Sequence, residues 1–136
     1  MATIKSYTSL EQSKKLAEIL SLESADMYYC YGMDIKTKEW SYDNTPTIID
    51  EENKLDIGDM PCWSLAALLG VLPVTIGNVL SKDSLRLRMD KGESDFNIWY
   101  DNIHTGFAEE RLDIASDNPI DACYEMIIKL HEFNLL

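Results

Sequence analysis

The chain predicts an α+β fold, an antiparallel β-meander of about three to five strands with two or three helices packed on one face. Three observations carry that expectation. Leu85, Leu87 and Met89 alternate with Arg86 and Arg88, and Phe96, Ile98 and Tyr100 alternate with Asn97 and Trp99, the period-two signature of half-buried strands joined by a turn at Lys91 to Ser94. Residues 117–136 read as a capped helix with one broad apolar face. Two further helical patterns lie upstream, and antiparallel strands with helices laid against them make an α+β layer arrangement.

Taken in order, Ser9 and Gln12 form a capping box, and Leu10, Leu16, Ala17, Ile19 and Leu20 hold helical spacing to about Leu22. The tyrosine-rich run from Met27 to Met33 is expected as a strand, turned by IKTKE into a second strand around Trp40 and Tyr42. Residues 44–59, with Pro46, Gly58 and most of the acidic cluster, read as a long loop with a brief extended piece at Ile48 and Ile49. Pro61 then opens a helix over residues 62–72, closed by Gly70 and Pro73. From Cys62 to Leu69 only Ser64 is polar, so this helix is expected to be buried on more than one side. Residues 74–80 lean towards a short helix or turn, and residues 107–115 towards a third strand with Leu112 and Ile114 inward.

In the last helix Asn118 is the expected N-cap and Pro119 occupies the first helical position. Ile120, Cys123, Tyr124, Met126, Ile127, Ile128 and Leu130 fill its apolar face, while Asp121, Glu125, Lys129 and Glu132 lie opposite. His131 falls on the apolar side and is expected to be buried and hydrogen-bonded.

At 136 residues the chain suits one domain, residues 1–136, with ordinary hydrophobic (46%) and charged (26%) content. Twenty-four acidic against twelve basic residues give a net charge of −12, which argues against direct binding to nucleic acid backbones. Three scattered cysteines make neither a disulfide framework nor a zinc signature and are expected as reduced thiols. The stretch MATIKSYTSLEQSKK lacks the apolar core of a signal peptide, and no apolar run suits a membrane span, so a cytoplasmic location without membrane association is expected.

Site chemistry is sparse. Cys62, at the start of the expected helix, is placed where a helix dipole favours thiolate, but a free cysteine in so apolar a segment reads first as core. His104 with Asp101, Glu109 and Glu110 offers ligands of zinc type at a spacing that matches no established pattern. No phosphate loop, nucleophile elbow or HExxH is present, and neither a catalytic residue, a metal nor a cofactor is assigned. Two partner-binding candidates remain. Asp50, Glu51 and Glu52 form an acidic run that reads as a solvated loop, an acidic docking surface or a mimic of DNA charge. Trp99 falls alongside Arg86 and Arg88, as a stacked surface pair or a recognition patch.

Two segments, residues 59–73 (DMPCWSLAALLGVLP) and 115–130 (ASDNPIDACYEMIIKL), together resemble signature stretches of small uncharacterised proteins of gut Bacteroidota genomes, prophages and mobile elements. The resemblance implies a bacterial or phage origin and a cytoplasmic location, and it brings no activity to carry over. The meander leading into a helix that opens with Asp-Asn-Pro is also similar in topology to HicB-like antitoxins, with Asp121-Ala122 as the local echo; fold analogy alone carries no function.

The expected function is therefore a non-enzymatic protein-binding accessory or regulatory protein of a phage or mobile element, with another protein as partner. The alternatives are a small enzyme with a Cys62 nucleophile or a His104 carboxylate metal site, and a structural homo-oligomer joined through the helix over residues 62–72.

Overall fold

Asn118 starts the final helix as its residue type predicts, accepting a hydrogen bond from the Asp121 backbone N–H at 2.9 Å, with Pro119 following at the first helical position. The computed structural model describes residues 5–78 and 80–136. Its elements are α1 (Leu10–Ala17), a 3-10 turn (Leu22–Ser24), β1 (Met27–Tyr29), β2 (Tyr31–Met33), β3 (Trp40–Tyr42), β4 (Thr47–Ile48), β5 (Met60–Cys62), α2 (Leu65–Val71), β6 (Thr75–Ile76), β7 (Leu85–Lys91), β8 (Phe96–Asn102), β9 (Ala108–Ser116) and α3 (Pro119–Glu132). The fold is α+β. The described chain divides into two compact units, residues 6–67 and residues 68–136 with Lys5, and the division falls inside α2.

In the unit of residues 68–136, four antiparallel strands lie in the order β6-β7-β8-β9, a meander, and α3 packs on β8 and β9. Strand alternation sends Ile98 and Tyr100 of β8 and Leu112 and Ile114 of β9 to the helix side, where all are buried together with Ile120, Cys123, Met126, Ile127 and Leu130 of α3. Each such aliphatic side chain contributes about 1.5–3 kcal/mol on burial, so this interface dominates the unit's stability. The Tyr100 hydroxyl, buried with its ring, donates to the Pro73 carbonyl at 2.7 Å.

Two expectations change here. His131 is exposed rather than buried. The buried stripe of α3 ends at Leu130, and the chain then turns through Asn134, at φ 56°, so the last helical turn carries His131 past the apolar surface. Thr75 and Ile76 form the edge strand β6, paired with Arg86 and Leu85, instead of a helix or turn. Gly77, at φ 85°, ends the strand in a conformation that other residues rarely adopt. Val79 of that segment lies outside the described residues.

In the unit of residues 6–67, β1 pairs with β4 on one side and β5 on the other, and β2 and β3 make a separate hairpin. The capping box of α1 is formed, with Ser9 Oγ accepting from Gln12 N at 3.2 Å and Gln12 Oε1 accepting from Ser9 N at 3.0 Å. The helix stops at Ala17, short of Leu22; the Glu18 N–H is shared between the Lys15 and Leu16 carbonyls, a tightening typical of helix ends. Thr8 joins the ends of the unit: its N–H donates to the Trp63 carbonyl (3.0 Å), its Oγ1 accepts from Trp63 N (3.1 Å), and its carbonyl accepts from the Tyr29 hydroxyl (2.8 Å).

The helix expected over residues 62–72 is shorter. Met60, Pro61 and Cys62 are strand β5, and α2 starts only at Leu65. Proline suits β5 because it is an edge strand, paired on one side alone, so the missing N–H leaves no ladder bond open. Ser64 is the start signal instead, its Oγ accepting from Ala67 N at 3.2 Å while its own N–H donates to Asp26 at 2.9 Å and its hydroxyl also donates to Asp26. Leu68 and Leu72 are buried, but Ala66, Leu69 and Gly70 are exposed, so the segment is buried on one side only.

The β2–β3 and β8–β9 turns repeat one design. In DIKTKE, residues 34–39, Asp34 Oδ1 accepts from the Lys36 and Thr37 N–H groups, Lys38 N donates to the Asp34 carbonyl and Asp34 N to that of Glu39. In NIHTGF, residues 102–107, Asn102 Oδ1 accepts from His104 and Thr105, Gly106 N donates to the Asn102 carbonyl and Asn102 N to that of Phe107. The fifth position is left-handed in both, Gly106 at φ 74° and Lys38 at φ 58°. A side chain there costs about 1–2 kcal/mol that glycine avoids. Lys38→Gly is therefore expected to raise unfolding stability by about 1 kcal/mol, and Asn118→Ala to lower it by about 1 kcal/mol through loss of the cap. Urea titration of each variant checks both signs.

Candidate functional site

With α3 on one face of the β7–β8–β9 sheet, the alternate residues of each strand are left on the other. Strand register orders them in three rows: Asp90 beside Asn97 and Ala115; Arg88 beside Trp99 and Asp113; Arg86 beside Asp101 and Ala108. A bulge between Trp99 and Asp101 shifts β9 so that Ala108 meets the third row. Trp99 is half-buried in the middle row.

The sequence placed Arg86 and Arg88 next to Trp99, and the register does so too, but both guanidinium groups turn to Asp101. Arg86 Nε lies 2.9 Å from Asp101 Oδ1 and Arg88 Nε 3.5 Å from Oδ2. Asp101 is only 5% exposed, and a carboxylate so buried requires such compensation. An open concavity of about 290 Å³ lies elsewhere along Trp99, lined by Asp90, Asn97, Trp99, Ala108 and Asp113. Among the described residues, neither Asp90 nor Asp113 takes part in an ion pair. Sequence reasoning missed these two carboxylates as part of the site. Asp90 continues the alternation of Arg86 and Arg88, but Asp113 becomes a neighbour of Trp99 only through strand pairing.

A second aromatic surface, also missed, belongs to the unit of residues 6–67. Pairing Tyr31 with Tyr42 and Met33 with Trp40 puts four large side chains on one face of the β2–β3 hairpin, with Gly32 and Ser41 behind them. Tyr31 and Trp40 stack at 5.5 Å and Tyr31 and Tyr42 approach to 4.7 Å. Trp40 is 59% exposed and Met33 50%. Lys14 Nζ sits 5.6 Å from the Tyr42 ring centre, a cation–π contact. The signal was the period-two spacing of Tyr31 with Met33 and of Trp40 with Tyr42.

The remaining candidates separate. Asp50 closes a turn, its Oδ1 accepting from Glu52 N at 2.8 Å and Asn53 N at 2.6 Å, and these backbone donors, Asn53 first, hold its carboxyl below the ordinary value. Glu51 and Glu52 are exposed. His104 lies in the exposed β8–β9 turn. Of its suggested companions, Asp101 is engaged by the two arginines, and Glu109 accepts from Arg111 Nε at 2.8 Å, which lowers the Glu109 pKa. Among the described residues no three His, Cys, Asp or Glu side chains gather as a metal site would require.

Cys62 is fully buried in strand β5, before α2 begins, with Sγ 3.5 Å from Thr8 Oγ1 and 3.4 Å from the Thr8 carbonyl. Burial pushes its pKa up, against the hydrogen bonds from Thr8, Ser13 and Tyr29, so the thiol form is retained where a nucleophile needs thiolate. Burial also pushes Cys123 up to about 11. No family model, curated protein or solved structure matches the chain.

Thiol titration at pH 8 is expected to modify at most Cys30, which is half-buried, in the native protein and all three cysteines after denaturation. Because the folded Cys123 value lies above the ordinary 9.0, its contribution to stability is complete below pH 9 and is lost as pH rises towards 11. Cys123→Ala should accordingly show a shallower fall in unfolding free energy between pH 9 and 11 than the wild type, read from urea titrations across that range.

Proposed function

We propose that this chain is a non-enzymatic accessory protein of a phage or mobile element that acts by binding another protein. The observation that carries the reading is the face of the β7–β8–β9 sheet opposite α3, where Trp99 borders an open concavity instead of a covering element. Tryptophan set among polar groups is the side chain most enriched at protein interface hot spots. The hairpin face of Tyr31, Met33, Trp40 and Tyr42, of which the first three are exposed, adds support from the other unit. The buried, protonated Cys62 favours binding over nucleophilic chemistry. The resemblance of residues 59–73 and 115–130 to proteins of gut Bacteroidota prophages and mobile elements supports the proposed origin and a cytoplasmic setting.

Net charge disfavours nucleic acid as the direct partner, since phosphate binding is driven by lysine and arginine. The two arginines of the Trp99 face are themselves held by Asp101. Affinity capture from a gut Bacteroidota lysate should retain a protein on the wild-type chain, with at least tenfold less recovered on Trp99→Ala. Equal recovery on the variant, or no specific partner at micromolar bait, counts against the reading.

A further inference from the structure

The Trp99 face has a chemistry narrower than a general docking surface. Its positive groups are already used: Asp101 lies between Arg86 and Arg88 and is itself almost fully buried. Its negative groups are not, because Asp90 and Asp113 line the concavity with no cation of the described residues within ion-pair distance. The face carries three carboxylates against two guanidinium groups, and the surplus is concentrated where the space is open.

Geometry selects the kind of cation. Asp113 stands directly opposite Trp99 on β9, so their Cβ atoms are about 5 Å apart, while Asp90 is diagonal to Trp99 on β7 at about 7–8 Å. A carboxylate therefore stands on each neighbouring strand, Asp113 directly opposite the indole and Asp90 one row along from Arg88, whose guanidinium turns to Asp101, with the Asn97 amide one pleat along the same strand as Trp99. Ala108 and Ala115 keep the neighbouring positions low. A planar, delocalised cation can stack on the indole while its N–H groups reach sideways to the acids, whereas an ammonium is a compact point charge that reaches one partner at a time.

We propose that this face receives an arginine side chain of a partner protein, the guanidinium stacked on Trp99 and hydrogen-bonded to Asp90 and Asp113. The inference rests on the protein-binding reading and supplies the chemistry of the partner. It also assigns Arg86 and Arg88 a different part from contact with the partner, that of holding Asp101 so that the outward charge of the face belongs to Asp90 and Asp113.

The test uses the full chain, isotope-labelled, and three blocked pentapeptides: Gly-Ser-Arg-Ser-Gly, its lysine counterpart, and its citrulline counterpart, which keeps the shape and removes the charge. The Trp99 indole N–H resonance, assigned by comparison with Trp99→Phe, is expected to shift saturably with the arginine peptide and to move at least fivefold less with citrulline. Asp90→Asn with Asp113→Asn should weaken binding at least tenfold. Glu23→Gln with Glu39→Gln removes the same charge from exposed positions of the other unit and should change it less than twofold. Equal responses to arginine and citrulline, equal loss in both double variants, or shifts that spare Trp99 overturn the arginine site. So does a lysine peptide that binds as tightly as the arginine one. A partner captured by the wild type and lost on Trp99→Ala, with no response to the arginine peptide, overturns this inference and leaves the binding function standing. Failure of the capture itself overturns the function.

Discussion

A β-strand offers its side chains to two faces by turns, and α3 covers one face of the β7–β8–β9 sheet. That constraint shapes the rest of the unit of residues 68–136. Ile98, Tyr100, Leu112 and Ile114 are committed to the helix side, so Arg86, Arg88, Asp90, Trp99, Asp101 and Asp113 must share the other. A slip of one residue in register would exchange the two sets, placing charges against Met126 and Ile127. The burial that holds the helix in place thus also fixes which residues can meet around Trp99.

The unit of residues 6–67 is organised by polar groups rather than by a wide apolar face. Thr8 uses its N–H, hydroxyl and carbonyl on Trp63 and Tyr29, and its hydroxyl also meets Ser13 at 2.8 Å. The Trp63 indole, fully buried, donates to Ser24 Oγ at 2.9 Å. A buried network of this kind is costly when only partly satisfied, so each partner constrains the next. Cys62 lies inside it. Its thiol serves as one more member of the packing, which explains why a residue suggestive of catalysis in the sequence has no access to a substrate.

Much of the fold was legible where a signal was local. The capping box at Ser9, the Asn118-Pro119 start of α3, the alternation along β7 and β8 and the inward Leu112 and Ile114 all follow from residue type and spacing. What was not legible depended on pairing. Pro61 reads as a helix opener until β5 is known to be an edge strand. Residues 74–76 are too short for periodicity to separate a strand from a turn until β7 lies beside them. His131 keeps helical phase with Ile127, but the surface it would cover ends before it. The site divided in the same way. Trp99, Arg86 and Arg88 were visible from alternation along single strands. Their sharing of Asp101, and the approach of Asp113, arise only once three strands stand in register with a bulge between Trp99 and Asp101.

The shared carboxylate has a further consequence. Because Asp101 draws both arginines towards the third row, the outer face runs from an acidic end at Asp90 to a guanidinium-rich end at Arg86, with the indole between them. A surface graded in this way distinguishes head from tail. An extended segment with one cationic end would meet the free carboxylates in one orientation and the compensated arginines in the other, so such a face would give a bound segment a direction as well as a place.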